Sequence, residues 1–319
     1  MKIALIGYGI IGKVHLNVIK QMDVDLVGIC DIDETKLKTF AKEICFTNYQ
    51  EMLEQTRPDI VHICTPHYLH KEMIVESLKR NINVLCEKPI CISDDELAEI
   101  EGVLNTSNAQ LGVCYQNRYE PAIQFAKEYL KKKKVVSSYG RLMWHRDASY
   151  YQQSSWRGKK ATEGGGVLIN QAIHTLDLLQ YLGTMPNDVI AYYENVSLKD
   201  VIEVEDTAAV FSSDGRFNLF ATNTAKKDFP VRIIISTESE IVEINRNEVY
   251  INGEINNFKL LKEIPDAKKI YGGGHRTLIE DFYRCIKEKR KFEIDFYEAS
   301  KSLKIVLAAY RSNGKAIKF

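Results

Sequence analysis

The chain of 319 residues is long enough for two domains, and its 43 lysines and arginines equal its 43 aspartates and glutamates. This balance favours neither nucleic acid nor an anionic membrane as a partner, and no apolar run approaches the ~20 residues that span a bilayer. The seven cysteines lack C-x-x-C spacing and a strand begins at Lys2, so we expect no disulfide framework, no metal site and no signal peptide in a cytoplasmic protein.

The first predicted strand, Lys2–Ile6, runs into a G-x-G-x-x-G turn and then a predicted helix over Ile11–Met22. This arrangement is typical of dinucleotide binding, because the start of the helix offers N–H groups and positive potential to phosphates. Gly7 would permit the tight turn, Gly9 the approach of a pyrophosphate, and Gly12 close packing of helix on strand. The alternative is a glycine turn without a ligand. The turn residues predicted to bind the cofactor are Gly7, Tyr8, Gly9, Ile10, Ile11 and Gly12.

A second predicted strand, Asp25–Cys30, ends at Asp31, which lies 24 residues after Gly7. A carboxylate at this distance is placed to accept hydrogen bonds from the adenosine ribose hydroxyls, and it would repel a 2′-phosphate. The residues that follow it directly are Ile32, Asp33 and Glu34, with no arginine among them. The sequence therefore predicts NAD, with NADP less favoured.

The first third of the chain alternates predicted strands and helices, which indicates a doubly wound parallel sheet covered on both faces. We place this dinucleotide-binding Rossmann domain at residues 1–120. Its further predicted strands are Ile60–Cys64, Asn83–Cys86 and Gln110–Tyr115, and its further helices are Glu34–Glu43, Tyr49–Gln55, Leu69–Arg80 and Asp94–Asn105.

Consecutive strands dominate the second half, which indicates an open, mostly antiparallel sheet in an α/β domain at residues 121–319. The predicted strands are Tyr139–Ala148, Val189–Ser197, Val204–Ser212, Arg216–Thr224, Val231–Thr237, Glu240–Ile244, Glu248–Ile251 and Asn257–Leu261. The predicted helices are Ala122–Leu130, Val167–Leu182, His275–Lys289 and Tyr297–Arg311.

Polar residues follow three strands of the first domain, where ligands of doubly wound sheets bind. Thr65, Pro66 and His70 follow the third strand, Glu87-Lys88-Pro89 the fourth, and Asn117 the fifth. A lysine at this edge can hold a substrate hydroxyl and transfer its proton. The alternative for Lys88 is a surface lysine paired with Glu87.

A second polar cluster lies in the other domain, where Gly164-Gly165-Gly166 precede the helix that carries Asn170, His174 and Asp177. The spacing of four places Asn170 and His174 on one helix face, and Asp177 could orient the imidazole. The glycines would let the helix start approach the nicotinamide. The alternative is a histidine with a purely structural place in the helix.

These motifs together resemble the Gfo/Idh/MocA family of NAD(P)-dependent sugar and cyclitol oxidoreductases. The resemblance implies a Rossmann domain followed by an α/β domain whose open sheet forms the interface of a homodimer or homotetramer. It implies that Lys88 and His174 form the catalytic pair, and that Trp156-Arg157 lies near nicotinamide and substrate. It also implies that the cofactor crevice is lined by Thr65, Pro66, His70 and Glu87, with which we group Lys88 and Asn117.

Many members of this family carry aspartate where this chain has Asn170, and an amide cannot accept a proton. Asn170 would then orient a substrate hydroxyl. Some members of the family that act on nucleotide-linked sugars also have an amide at this position. We expect an NAD-dependent oxidoreductase acting on a secondary alcohol of a sugar, cyclitol or sugar derivative. The alternatives are a hydrolase or lyase that retains NAD, a non-catalytic NAD-responsive regulator and, with less support, a methyltransferase.

Overall fold

The computed structural model describes residues 1–262, 264 and 273–319, and it divides into two compact units. The first unit comprises Met1–Tyr119 and Leu261–Ala299, and the second comprises Glu120–Leu260 and Ser300–Phe319. The predicted second domain, residues 121–319, therefore includes a segment that lies in the first unit. Each unit is built around its own sheet.

The sheet of the first unit has six parallel strands in the order β3-β2-β1-β4-β5-β6, the doubly wound arrangement that the alternating pattern predicts. Its interior strands are almost continuously apolar because helices cover both faces. The strands are β1 (Lys2–Ile6), β2 (Asp25–Cys30), β3 (Cys45–Phe46), β4 (Ile60–Ile63), β5 (Asn83–Cys86) and β6 (Leu111–Val113). The helices between them are α1 (Ile10–Ile19), α2 (Tyr49–Thr56), α3 (His70–Lys79) and α4 (Asp94–Leu104).

The predicted helix over Glu34–Glu43 is wrong. The structure has two short 3₁₀ turns there, Glu34–Leu37 and Lys42–Ile44. Asp33 caps the first turn by accepting hydrogen bonds from the backbone N–H and the hydroxyl of Thr35. Such local side-chain bonds compete with a continuous helix, and the chain turns early into β3.

The second unit has a nine-stranded sheet in which β7 and β10 pair in parallel and the other neighbours are antiparallel. This confirms an open, mostly antiparallel sheet. Its helices are α5 (Pro121–Leu130), α6 (Ala148–Gln152), α7 (Lys160–Glu163) and α8 (Ile173–Leu182). Its first eight strands are β7 (Val135–Met143), β8 (Asp188–Glu194), β9 (Thr207–Phe211), β10 (Phe217–Thr222), β11 (Arg232–Thr237), β12 (Ile241–Asn245), β13 (Glu248–Ile251) and β14 (Glu254–Asn257).

Two predicted strands are displaced. The strand predicted at Tyr139–Ala148 begins earlier, as β7, and its last residue starts α6. The strand predicted at Asn257–Leu261 forms three residues earlier, as β14, because Asn252 and Gly253 take positive φ values and make a tight hairpin with β13.

The last two helices are α9 (Gly274–Lys287) and α10 (Phe296–Ser312), and a two-residue strand, β15 (Ile317–Lys318), pairs with β8. The segment that carries α9 belongs to the first unit because Phe282 and Phe292 pack where Gly112 of β6 has no side chain. The Val113 N–H also donates to Ile294 O at 3.1 Å. Within the described residues, no helix combines the length and apolar character needed to cross a bilayer.

Candidate functional site

The glycine turn after β1 leaves one side of the backbone open. Gly7 has φ +91°, and a Cβ on it would lie 2.7 Å from Cys64 O, so only glycine fits. A Cβ on Gly12 would overlap Gly7 O, so Gly12 lets the first turn of α1 pack closely against the glycine turn. Gly9 precedes α1, and a Cβ there would have no neighbour within 4 Å. The open side lies at a helix N-terminus, which fits a dinucleotide pyrophosphate.

Asp31 follows β2 directly, and its carboxylate is 8% exposed. It accepts hydrogen bonds from Tyr8 N–H at 2.9 Å and Asp33 N–H at 3.0 Å, so it fastens the glycine turn to the end of β2. Lys36 Nζ lies 3.0 Å from Asp31 Oδ1 and 3.1 Å from Oδ2. A cation therefore faces Asp31, although the residues that follow it directly suggested none. The 3₁₀ turn that replaces the predicted helix brings Lys36 back.

The residues after β4 and β6 are held from inside the protein. Thr65 and Pro66 are half-buried, and His70 is fully buried. The ring nitrogens of His70 lie 2.7 Å from Pro89 O and 2.9 Å from Thr65 O, so this side chain joins the loop after β4 to the loop after β5. Asn117 is half-buried in the 3₁₀ turn Gln116–Tyr119. Contact of these residues with the cofactor stays a prediction.

Glu87 and Lys88 follow β5, and the structure separates their environments. Lys88 is half-buried, whereas Glu87 is 6% exposed. Glu87 Oε1 lies 3.1 Å from His15 Nε2 and 3.2 Å from His275 Nε2. Burial alone would raise the pKa of Glu87, but these two bonds outweigh it and hold that pKa well below its usual value. Glu87 is therefore an interior anion, not a surface partner.

The hydrogen bonds continue from His15 into the protein. His15 Nδ1 lies 2.7 Å from His62 Nδ1, and His62 Nε2 lies 2.7 Å from the Tyr283 hydroxyl. His15, Glu87 and His275 also bring three potential metal-ligand atoms within 4.8 Å of one another. The sequence reasoning missed this cluster. Its one local signal is His15, three residues after the glycine turn, and its other members come from distant segments.

In the second unit, Asn170 and His174 lie on one continuous helical segment that begins with a π turn. The predicted helix Val167–Leu182 is present as a π segment, Leu168–Ala172, followed by α8. Asn170 lies in the π segment and is 9% exposed, and His174 lies in α8 and is half-buried. π turns inside helices occur frequently at functional sites. The wider turn changes the angle between these two side chains from that of a regular helix.

The three glycines before this helix lie where the chain turns or where other residues of the second unit pack closely. Gly164 has φ +87°, and it ends α7. A Cβ on Gly165 would overlap the Tyr310 hydroxyl, and one on Gly166 would overlap the backbone of Glu205. Close packing inside the second unit therefore explains Gly165 and Gly166, and the approach of this run to the nicotinamide stays a prediction.

Two buried glutamates lie beside Asn170, and sequence reasoning missed both. Asn170 Nδ2 donates to Glu163 Oε1, and Gly158 N–H donates to Glu163 Oε2. Burial raises the pKa of Glu163 to about 7. Glu205 accepts from Gly166 N–H at 2.8 Å and Leu168 N–H at 3.0 Å, and burial raises its pKa as well. A carboxyl with a pKa near neutral pH is therefore hydrogen-bonded to the Asn170 amide.

The remaining predicted residues of this unit lie around the same segment. Trp156 and Arg157 are half-buried, and the Arg157 guanidinium lies 5.2 Å from the centroid of the Trp156 ring. Asp177 is 1% exposed and accepts a hydrogen bond from the Ser302 hydroxyl at 2.8 Å. The structure thus groups Trp156, Arg157 and Asn170 in the second unit with His174, while Lys88 lies in the first.

Comparison with known proteins matches both units to one family. The Gfo/Idh/MocA model of an oxidoreductase family with an NAD-binding Rossmann fold covers residues 1–115. The model of the family's C-terminal alpha/beta domain covers residues 134–318.

Individual proteins similar to this chain include curated sequences and solved structures. Levoglucosan dehydrogenase from Pseudarthrobacter phenanthrenivorans is 23% identical over 57% of this chain and 51% of its own length. The 2,7-anhydro-N-acetylneuraminate hydratase of Mediterraneibacter gnavus is 24% identical over 61% of this chain and 52% of its own. The match thus spans about half the length of these relatives. The WlbA dehydrogenase of Bordetella pertussis, crystallised with NADH and UDP-GlcNAcA, is 26% identical, covers 100% of this chain and 98% of its own, and has a TM-score of 0.86.

Proposed function

Since the chain belongs to the Gfo/Idh/MocA oxidoreductase family, we propose that it transfers a hydride between the nicotinamide of NAD and a secondary alcohol or ketone of a sugar, cyclitol or sugar derivative. The observation that carries this proposal is the glycine turn, open at Gly9 and fastened to Asp31, within a domain of the NAD-binding family. Asp31 would accept hydrogen bonds from the adenosine ribose, and the start of α1 would bind the pyrophosphate.

Within this class, we favour a nucleotide-linked sugar as the first substrate to test. Compared over the whole chain, the WlbA dehydrogenase crystallised with UDP-GlcNAcA is 26% identical, whereas levoglucosan dehydrogenase crystallised with levoglucosan has the same TM-score of 0.86 and is 20% identical. Asn170 supports the same choice, because an amide at this position resembles family members that act on such sugars.

Two residues would move the proton of the reacting hydroxyl. Bound NAD supplies the hydride acceptor. Lys88, half-buried at the end of β5, and His174, half-buried on α8, are the groups that can accept the hydroxyl proton or stabilise the developing alkoxide. Asn170 would orient a substrate hydroxyl, and Trp156 and Arg157 would contact the substrate. The alcohol loses one hydride and one proton and becomes a ketone.

The test is a substrate panel with purified protein and NAD. UDP-GlcNAcA, other nucleotide sugars, free sugars and cyclitols are mixed with NAD, and NADH is followed at its absorbance near 340 nm while products are identified by mass spectrometry. We expect NADH together with a product two hydrogens lighter. If the protein binds NAD but turns over no member of the panel, the result would favour the alternative of a non-catalytic, NAD-responsive regulator.

The hydratase relative gives a second candidate, a hydratase or lyase that keeps NAD bound. Its net reaction adds or removes water, or cleaves a bond, without accumulating NADH. The same panel separates the two, because product would form at a catalytic ratio to NAD while the absorbance of NADH stayed flat.

We also propose that the protein is a homodimer or homotetramer through the open face of the nine-stranded sheet. Tyr139, Tyr192 and Ile255 share this face by their register and are 37%, 61% and 49% exposed. Large exposed side chains such as these on one face of a sheet are typical of a subunit interface. Light scattering should give two or four chains per particle, and Tyr192→Lys should shift that mass down. A monomer at micromolar concentration would contradict the proposal.

A further inference from the structure

In the first unit, Glu87, the residue that precedes Lys88, belongs to a group of buried and hydrogen-bonded polar side chains. The proposed proton and hydride transfer gives this group no role. We call it the Glu87 cluster. Its members come from α1, β4, the end of β5 and α9, and none is more than 6% exposed. They are His15, His62, Glu87, His275 and Tyr283.

The hydrogen bonds that run from Glu87 through His15 and His62 to Tyr283 can be assigned with neutral His15 and His62. Burial lowers the pKa of His15 and of His62, so each ring has one N–H. His15 Nε2–H donates to Glu87, which leaves His15 Nδ1 as the acceptor for His62 Nδ1–H. His62 Nε2 then accepts from the Tyr283 hydroxyl. Every donor along this chain meets an acceptor, and the negative charge lies on Glu87.

The two oxygens of Glu87 have different partners. Oε1 receives the N–H groups of His15 and His275, and Oε2 receives the backbone N–H of Lys88 at 3.3 Å. The Glu87 N–H is held by Ile63 O of β4 at 2.9 Å. The carboxylate that the two histidines hold is therefore hydrogen-bonded to the backbone of Lys88 itself.

The residue after Lys88 is held in a similar way. Pro89 O lies 2.7 Å from His70 Nδ1, and His70 also reaches the loop after β4. Lys88 thus lies between two residues whose polar groups are fixed by buried histidines.

We propose that His15 and His275 are positioning residues for Lys88, which they hold through the Glu87 carboxylate. The inference rests on the proposed function for its kinetic consequence, but the placement of Lys88 can be measured without a substrate. Both histidines act by donating one N–H to Glu87 Oε1. A side chain that keeps this donor should preserve the site, and an apolar side chain of similar size should not.

The experiment compares His15→Gln and His275→Gln, whose amides retain an N–H donor, with His15→Leu and His275→Leu, which leave Glu87 without it. The first readout is the rate at which Lys88 is reductively methylated, measured by peptide mass spectrometry with exposed Lys79 as internal reference. The second is kcat and KM on a substrate found in the panel. Calorimetry with NAD and a melting curve accompany each variant.

We expect the Leu variants to change the methylation rate of Lys88 severalfold relative to Lys79 and to lower kcat by about 10²-fold, as misplacement of a reacting group does. KM and NAD affinity should change little, and the Gln variants should stay close to wild type in every readout. If the Leu variants do not fold, the Gln variants and the double His15→Gln/His275→Gln variant still test whether an amide donor suffices.

Three results would overturn the inference. One is an unchanged Lys88 methylation rate in folded Leu variants. Another is an equal loss in Gln and Leu variants that follows melting temperature alone. The third is a stoichiometric metal ion in the purified protein, since a metal bound by His15, Glu87 and His275 would replace the N–H···O bonds. Should the panel yield no substrate, the proposed function fails and the methylation data still decide the placement of Lys88.

Discussion

Each unit holds a buried glutamate beside a residue predicted to carry the chemistry, and the two glutamates differ in charge. In the first unit, burial acts to raise the pKa of Glu87, yet the N–H groups of His15 and His275 keep it well below its usual value. In the second unit, burial raises the pKa of Glu163 to about 7, although two amide groups donate to it. Imidazole donors thus fix a charge that amide donors leave free to titrate.

The difference separates two functions of buried carboxyls. A permanently ionised Glu87 can anchor Lys88 at any physiological pH. The pKa of Glu163 lies near neutral pH, and its bond to Asn170 makes the segment that carries Asn170 the pH-sensitive one.

Replacement of the two proposed proton-transfer residues, one in each unit, should have the largest effect on turnover and should test whether both units contribute to proton transfer. Lys88→Met and His174→Ala should each lower turnover by roughly 10²–10⁴-fold, the usual loss of an acid–base group, while NAD affinity stays near wild type. Calorimetry and steady-state kinetics measure both. Lys79→Met, on the exposed end of α3, is the matched control. Near-normal turnover in one variant would assign proton transfer to the other unit.

Removal of the titrating carboxyl should change the pH dependence of stability. Because the folded-state pKa of Glu163 is raised, the stability it contributes is complete below about pH 4.5 and is lost as pH rises through about 7. Glu163→Gln should therefore gain stability relative to wild type with rising pH, by about 3 kcal/mol over that window. Urea unfolding from pH 5 to 8 measures it, with exposed Glu254→Gln as control. Parallel curves for wild type and Glu163→Gln would show that Glu163 does not titrate there.

Local and long-range features of the molecule differ in how far the sequence predicted them. β1, β2 and β5 were predicted to the residue, since each is a short apolar run bounded by residues that cannot continue it. The glycine turn was predicted with its physical reasons, because those reasons act within a dozen residues. Local information sufficed wherever the interaction was local.

The Glu87 cluster could not be predicted because its bonds join residues 47, 72 and 188 positions apart. The sequence shows Glu163 only as the residue before a glycine run, whereas in the structure its carboxyl is buried and accepts hydrogen bonds from Gly158 and Asn170. Burial and donor number set the pKa values of both glutamates, and both quantities depend on tertiary contacts.

The start of α9 offers a smaller test of how the Glu87 cluster is held. A Cβ on Gly274 would overlap Gln116 O, so Gly274→Ala must shift the first turn of α9, which carries His275. We expect a loss of about 1–3 kcal/mol, typical of overpacking, together with a changed methylation rate at Lys88. Gly102→Ala on α4, where a Cβ meets nothing within 4 Å, is the matched control and should gain up to about 1 kcal/mol. If Gly274→Ala and Gly102→Ala changed stability equally, the start of α9 would have space for a Cβ at Gly274.

The smallest expected effect is on the preference for NAD over NADP. It depends on Asp31, a third carboxylate to compare with Glu87 and Glu163. Asp31 bonds a surface cation, Lys36, whose side chain is 41% exposed, so its charge is partly compensated rather than fixed by buried donors. Asp31→Ala should narrow the preference for NAD over NADP, since it removes the repulsion of a 2′-phosphate. Lys36→Ala should widen the preference, because it leaves Asp31 uncompensated. An ion pair with an exposed partner contributes about 1 kcal/mol or less, so Lys36→Ala should change the ratio of the two Kd values by roughly fivefold or less. Calorimetry with both cofactors at two salt concentrations measures the ratios, and the Lys36 effect should shrink at high salt. If Lys36→Ala bound NADP more tightly than wild type does, this account of Asp31 would be wrong.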